Sequence, residues 1–219
     1  MNQNRYSPVS WICMVLLYIK ELLPIFMKLP ILQQIDQNNL KDFIDFWSKL
    51  YSNTPELEKI YSETILKTHF DENDIQELFK WKNGMTLSKG KQSSLDKKIK
   101  VKLPLINELK IQDPFRLSDF QENFELSAVW KIFLLHIIKP DKYPIYDQNI
   151  NRAYNFIHGL EYKNLSADSM TDKDKETFYF ETYMKFVDKL EGFNLKTLDQ
   201  AFFAFGQFIR NKENQKLFE

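Results

Sequence analysis

Apolar residues recur along this chain every three or four positions, in runs separated by short polar breaks. That period belongs to amphipathic helices; half-buried strands alternate every second residue. The run 38–51 places Leu40, Phe43, Ile44, Trp47 and Leu50 on one face. Thr54-Pro55-Glu56 reads as a helix start, with proline at the first helical position and an acid in the first turn. Leu57, Ile60, Tyr61, Ile65 and Leu66 continue it. A helix over 71–83 carries Ile75, Leu78, Phe79 and Trp81 and stops at Gly84. A short basic helix is expected over 94–103, and Ser118-x-x-Gln121 has the form of a capping box. Further helices are expected over 126–138, 147–158, 174–190 and 195–210, with a polar, turn-like stretch over 161–174. No hairpin rhythm, repeat or low-complexity segment interrupts the pattern. It predicts an all-α, compact multi-helix domain, as one body or as two helical lobes.

Composition agrees with that reading. The 219 residues can bury a substantial core. The chain has five glycines, none between Lys91 and His158, which favours helices over hairpins. One cysteine, Cys13, excludes an intrachain disulfide and a cysteine-based zinc site, and three widely spaced histidines argue against a histidine metal centre. No cofactor is expected. Cytoplasmic residence is the default.

The N-terminus qualifies that default. Trp11 to Ile19 is nine uncharged residues, followed by Lys20-Glu21 and a second apolar stretch, Leu22 to Met27. Nine residues are too few to span a bilayer, and a Lys-Glu pair inside a longer span is costly. A buried or partner-docking helix is the first reading of 1–27, a membrane-associated segment the second and a signal peptide the third. Translation starting at Met27 is a further alternative. The remainder, 28–219, reads as the helical domain.

Charge is segregated although the formal net charge is zero. From Lys80 to Lys102 there are eight lysines against one acid, Asp96, so the rest of the chain is negative by the same margin. Lys82, Lys89, Lys91, Lys97 and Lys98, with the serines and glycines among them, offer a phosphate-binding face. The plain alternative is a solvated lysine loop and helix face. The glycine spacing and Gly-Lys-Ser/Thr ending of a Walker motif are absent.

The stretch His136 to Ala153 is the most pointed. An apolar run ends in a proline-bracketed loop, the loop ends in Asp147, and an amphipathic run follows. Asp147 stands where a helix N-cap belongs, its carboxylate accepting backbone N–H groups of the next turn. Such a carboxylate, beside aromatic Tyr143 and Tyr146, is either a plain cap or a poised charge for chemistry on a base or sugar. Lys131 lies in a helix that is apolar nearly all round. It either snorkels to water or is desolvated, which would lower its pKa and make the amine nucleophilic. His136 on the same helix reads as a satisfied core histidine.

Lys139 to Ala153, with its Pro-Ile-Tyr-Asp core, resembles the segment after the helix-hairpin-helix in the HhH-GPD superfamily of DNA glycosylases, its 8-oxoguanine branch most closely. Leu198-Asp199-Gln200-Ala201-Phe202-Phe203-Ala204-Phe205 is similar to that family's C-terminal helix, and the blocks lie in the family's order. The resemblance implies Asp147 as the catalytic aspartate and Lys131 as the nearest counterpart of the catalytic lysine, although ungapped alignment places Ala128 there. It implies Gln200 as a base contact and Phe203 or Phe205 as the stacking ring, although the ungapped match is Ala204. The base pocket would draw on Trp130, Tyr143, Tyr146, Gln200 and Phe203. The family's glycine-rich hairpin is missing: Asn123 to Ala128 has no glycine, and Glu125 would repel a phosphate. The implied function is an N-glycosylase-like protein acting on an unusual base flipped from the strand. Its partner would be nucleic acid, DNA rather than RNA, with a setting in bacterial anti-phage defence and a protein partner from a defence operon; a membrane is not expected. The alternatives are a catalytically inert helical module binding nucleic acid or protein, and an unrelated helical interaction protein.

Overall fold

The computed structural model describes residues 40–166, 169–190 and 192–218, and the expectation for 1–27 lies outside them. Among the described residues every regular element is helical, with no strand. None of these helices is long and apolar enough to cross a membrane.

Helix α1 (Leu40–Lys49) buries Phe43, Ile44 and Trp47, as its apolar spacing requires. Helix α2 (Pro55–Thr64) begins with Pro55, whose missing N–H costs nothing in a first turn. Helix α3 (Glu72–Asn83) is closed at its start by a reciprocal box: Asp71 accepts from the Asp74 amide at 2.8 Å and Asp74 from the Asp71 amide at 3.1 Å. Gly84, at φ 69°, ends it in the left-handed region that favours glycine.

The basic segment differs from expectation. Ser88 caps a helix that starts earlier, α4 (Lys89–Lys98), and a 3₁₀ turn, Lys100–Lys102, leads into α5 (Leu103–Ile111). Pro104 explains the break, because one continuous helix would lose an N–H there and set the ring against the carbonyl of Lys100. The expected box at Ser118 is also displaced. Helix α6 (Leu117–Asn123) starts before Ser118, its cap residue is Arg116, and the Ser118 hydroxyl donates to Asp119 instead.

Helix α7 (Ala128–Ile138) is the centre of the core, with every residue from Ile132 to Ile138 buried. Helix α8 (Gln148–Ile157) follows the Asp147 cap. Helix α9 (Asp172–Phe178) runs through a π turn, Tyr179–Tyr183, into α10 (Met184–Val187). Helix α11 (Leu195–Phe208) packs against both α1 and α8, and α12 (Lys212–Gln215) follows. The rings of α11 seal the first interface: Phe43 meets Phe202 and Phe205 edge-on at 5.9 and 5.2 Å. At the second, Gly206 admits the backbone of Asn149 so closely that a Cβ there would lie 2.0 Å from its carbonyl oxygen. Arg152 pins the same contact, donating to the Gly206 carbonyl at 2.8 Å and to Asn149 Oδ1 at 2.9 Å. This close approach sets the start of α8, and with it Asp147, against α11.

Candidate functional site

A cleft of about 370 Å³ opens where α3, the α1–α2 connection, the start of α8 and the flank of α11 meet. Its size falls within the usual range of small-molecule sites, roughly 300–1,000 Å³. Asp147 contributes from the N-terminus of α8. Its Oδ1 accepts the amides of Asn149 and Ile150 at 2.8 and 3.0 Å. Its Oδ2 lies 3.3 Å from Lys82 Nζ of α3, and Lys82 also donates to the Tyr146 carbonyl at 3.4 Å. The side chains are only 9% (Lys82) and 19% (Asp147) exposed, so water screens this pair little. Two backbone amides and one ammonium fix the carboxylate without locking both of its oxygens to the backbone.

One wall is aromatic. Tyr61 stacks on Trp81 with centroids 4.0 Å apart, and Lys196 Nζ sits 4.4 Å over the Tyr61 ring. Tyr51 meets Phe203 edge-on at 5.5 Å. Glu58 gathers this wall: it accepts from the Tyr51 hydroxyl at 2.7 Å, Trp81 Nε1 at 2.8 Å and Asn53 Nδ2 at 3.1 Å, and lies 3.4 Å from Lys196. Burial pushes the Glu58 carboxyl up, but these donors and the Lys196 charge outweigh it and hold it below its usual range. Behind Tyr61, His136 is buried and neutral. Burial takes its pKa down to about 4, the neighbouring lysines act in the same direction, and the bond to the Tyr143 carbonyl only partly opposes them. The neutral ring therefore donates from Nδ1 to Tyr143 at 2.7 Å and accepts the Tyr61 hydroxyl at Nε2 at 2.6 Å.

Of the residues singled out in the sequence, Asp147, Gln200, Phe203 and Lys82 line this one cleft. Lys91 reaches its rim by bonding Asn83, while Lys89, Lys97 and Lys98 stand exposed on α4. Lys131 does not line the cleft. Its Nζ pairs with Glu176 at 3.4 Å, so the amine stays beside an acid rather than in an apolar pocket. Tyr143 and Tyr146 are buried outside it. Tyr143 packs on Phe115, and Tyr146 donates to Asn151 among Phe178, Tyr179 and Tyr183. For Tyr146 the reason is local: Asp147 is extended, at φ −155°, so Ile145 and Asp147 face the cleft while Tyr146 between them points away. Trp130 packs on Phe79 instead of lining the cleft.

The sequence reading missed Glu58, Tyr61, Lys196 and Asp199. Only Asp199 carried a signal, as an acid on the apolar face of α11 in line with Phe202 and Gly206. No group of His, Cys, Asp and Glu suited to a metal ion occurs among the described residues. No family of known proteins matches the chain, and neither the curated proteins nor the solved structures contain a match.

Proposed function

We propose that the cleft takes a nucleobase with its sugar and that Asp147 stabilises the positive charge developing on the sugar as the N-glycosidic bond breaks. One observation carries this reading. Asp147 and the pair Gln200 and Phe203 come from separate segments, each singled out for the same chemistry, and they line one ring-walled cleft. A carboxylate held by a helix N-terminus is oriented in advance, so little reorganisation accompanies reaction. Phe203 supplies an apolar ring against which a base stacks, and the Tyr61–Trp81 pair backs the wall.

The chemistry supported is hydrolytic. The C1′–N bond breaks with its electron pair leaving on the base, water adds its oxygen at C1′, and the proton that water sheds ends on the departed base. Lys131, paired with Glu176, takes no part, so no lysine adduct is expected from it. Lys91 bonds Asn83 at the rim, and Lys89, Lys97 and Lys98 stand exposed on the same helix, a positive surface suited to a phosphate backbone. This arrangement supports a nucleic acid over a free nucleoside.

A second reading, recognition without cleavage, draws on the Lys82 contact, since a partnered carboxylate needs no substrate cation. Incubation with single- and double-stranded oligonucleotides, each carrying one modified base, separates the two. Free base detected by mass spectrometry, with alkali-labile strands, is the expected result. Salt-sensitive binding with no base released from any oligonucleotide would leave only the binding module.

A further inference from the structure

The cleft holds a second carboxyl group. Asp199 sits on the buried face of α11, one residue before Gln200, and also lines the cleft. Its Oδ2 accepts the Ile145 amide hydrogen at 2.9 Å, whereas Oδ1 is shielded from water with no hydrogen-bond partner. An ionised carboxylate there would leave a charged oxygen buried and bare, which is costly. Burial accordingly holds the Asp199 carboxyl well above its usual range, and Asp147 adds to the rise, while the Ile145 amide, Lys82 and Lys196 pull it back. The other titratable groups that act on it are the phenols Tyr61, Tyr179 and Tyr183, all raised by burial and so uncharged. With Oδ2 accepting from the backbone, the proton of the neutral acid belongs on Oδ1.

Asp147 and Asp199 therefore play unlike parts. One offers acceptors and negative charge, the other a donor; two carboxyl groups set apart by their surroundings mark a division of roles. Building on the reading that a base occupies the cleft, we infer that Asp199 donates a hydrogen bond from Oδ1 to a ring nitrogen or carbonyl oxygen of that base. Its shielding does not prevent this, since such bonds commonly tighten only when the ligand seats. The ligand class narrows to heterocycles with an acceptor on the edge that enters first. A ring without one leaves the donor buried and unpaired, at roughly tenfold to hundredfold in affinity.

The test compares wild type with Asp199→Asn and Asp199→Leu. Asparagine keeps an acceptor for the Ile145 amide and places an N–H donor where the O–H was; leucine keeps the branching at Cγ and has no donor. Calorimetric titrations use free adenine, hypoxanthine and uracil as probes. At least one base is expected to bind wild type and the asparagine variant within about threefold of each other, and the leucine variant at least about tenfold more weakly. Binding of none of the three, or equal binding to the leucine variant, overturns the inference. Isotope-edited infrared spectroscopy needs neither a ligand nor a folded leucine variant. The wild-type-minus-asparagine difference at neutral pH should contain the carbonyl band of a protonated carboxyl, and a carboxylate band in its place overturns the inference. Base binding that depends on Asp199 without base release from oligonucleotides would remove the glycosidic reading and leave this one standing.

Discussion

Asp147→Asn is expected to slow base release by roughly 10²–10³-fold while the protein stays folded. The substitution isolates charge from structure. Asparagine is as good an N-cap as aspartate, so the amides of Asn149 and Ile150 keep their acceptor. What disappears is the negative charge facing the sugar. At about 4 Å and an effective dielectric constant near 20, that charge attracts a full cation by about 4 kcal/mol, or nearly three decades in rate. Lys82 offsets part of this, which puts the expected loss below that ceiling. The variant also leaves the Lys82 ammonium with the Tyr146 carbonyl as its remaining acceptor, at a cost of about 1–3 kcal/mol. Single-turnover base release together with thermal unfolding separates the two effects. A variant that stays folded and releases base as fast as wild type would show Asp147 to be a cap and nothing more.

Gly206→Ala is expected to destabilise the protein although alanine is the better helix former. Relief of the glycine penalty favours the variant by about 1 kcal/mol. Against it, the new methyl group would sit 2.0 Å from the Asn149 carbonyl oxygen and 2.6 Å from its carbon. Both are backbone atoms, so no side-chain rotation relieves the contact, and α8 and α11 must move apart. Such overpacking costs about 1–3 kcal/mol before that relief is subtracted, which leaves a net loss of up to about 2 kcal/mol, a fall of up to roughly 8 °C in Tm for a chain of this size. The displaced element is the first turn of α8, so the Asp147 carboxylate moves with it and ligand binding weakens as well. Gly90→Ala is the control: that helical glycine has nothing within 4 Å of a Cβ, and its substitution is expected to leave Tm unchanged or raise it. Equal melting of the two variants would contradict the close approach.

The helices were legible because three- and four-residue spacing, Pro55 and Gly84 act locally, and local rules suffice where a single face is buried. Ser88 was passed over as a start because the residues after it are polar; its hydroxyl, not an apolar stripe, opens α4. The π turn at Tyr179–Tyr183 leaves no mark in apolar spacing, since Tyr179, Phe180 and Tyr183 are all aromatic and suit either register. The site divides in the same way. Asp147 could be read as a cap from its place between a loop and an amphipathic run, but its partner could not. Lys82 belonged by composition to a basic surface, and only the packing of α3 on the start of α8 brings it to the carboxylate. Proximity in sequence misled at Tyr146, because extended backbone sends neighbouring side chains to opposite sides, and at Tyr143, which sits in the bend before that stretch and packs on Phe115. Glu58 joins Tyr51, Trp81 and Lys196 through contacts that no spacing announces.

In the proposed reaction the Asp147 carboxylate lowers the energy of a cationic sugar. The most direct test of that step needs no knowledge of the base. Two oligonucleotides of the same sequence are compared, one carrying a pyrrolidine, whose ring nitrogen is cationic, in place of a sugar, the other a neutral tetrahydrofuran. Wild type is expected to bind the cationic ring about a hundredfold more tightly or better, and Asp147→Asn to bind the two alike. Equal affinity of wild type for both rings, or a preference that survives in the variant, would contradict the account.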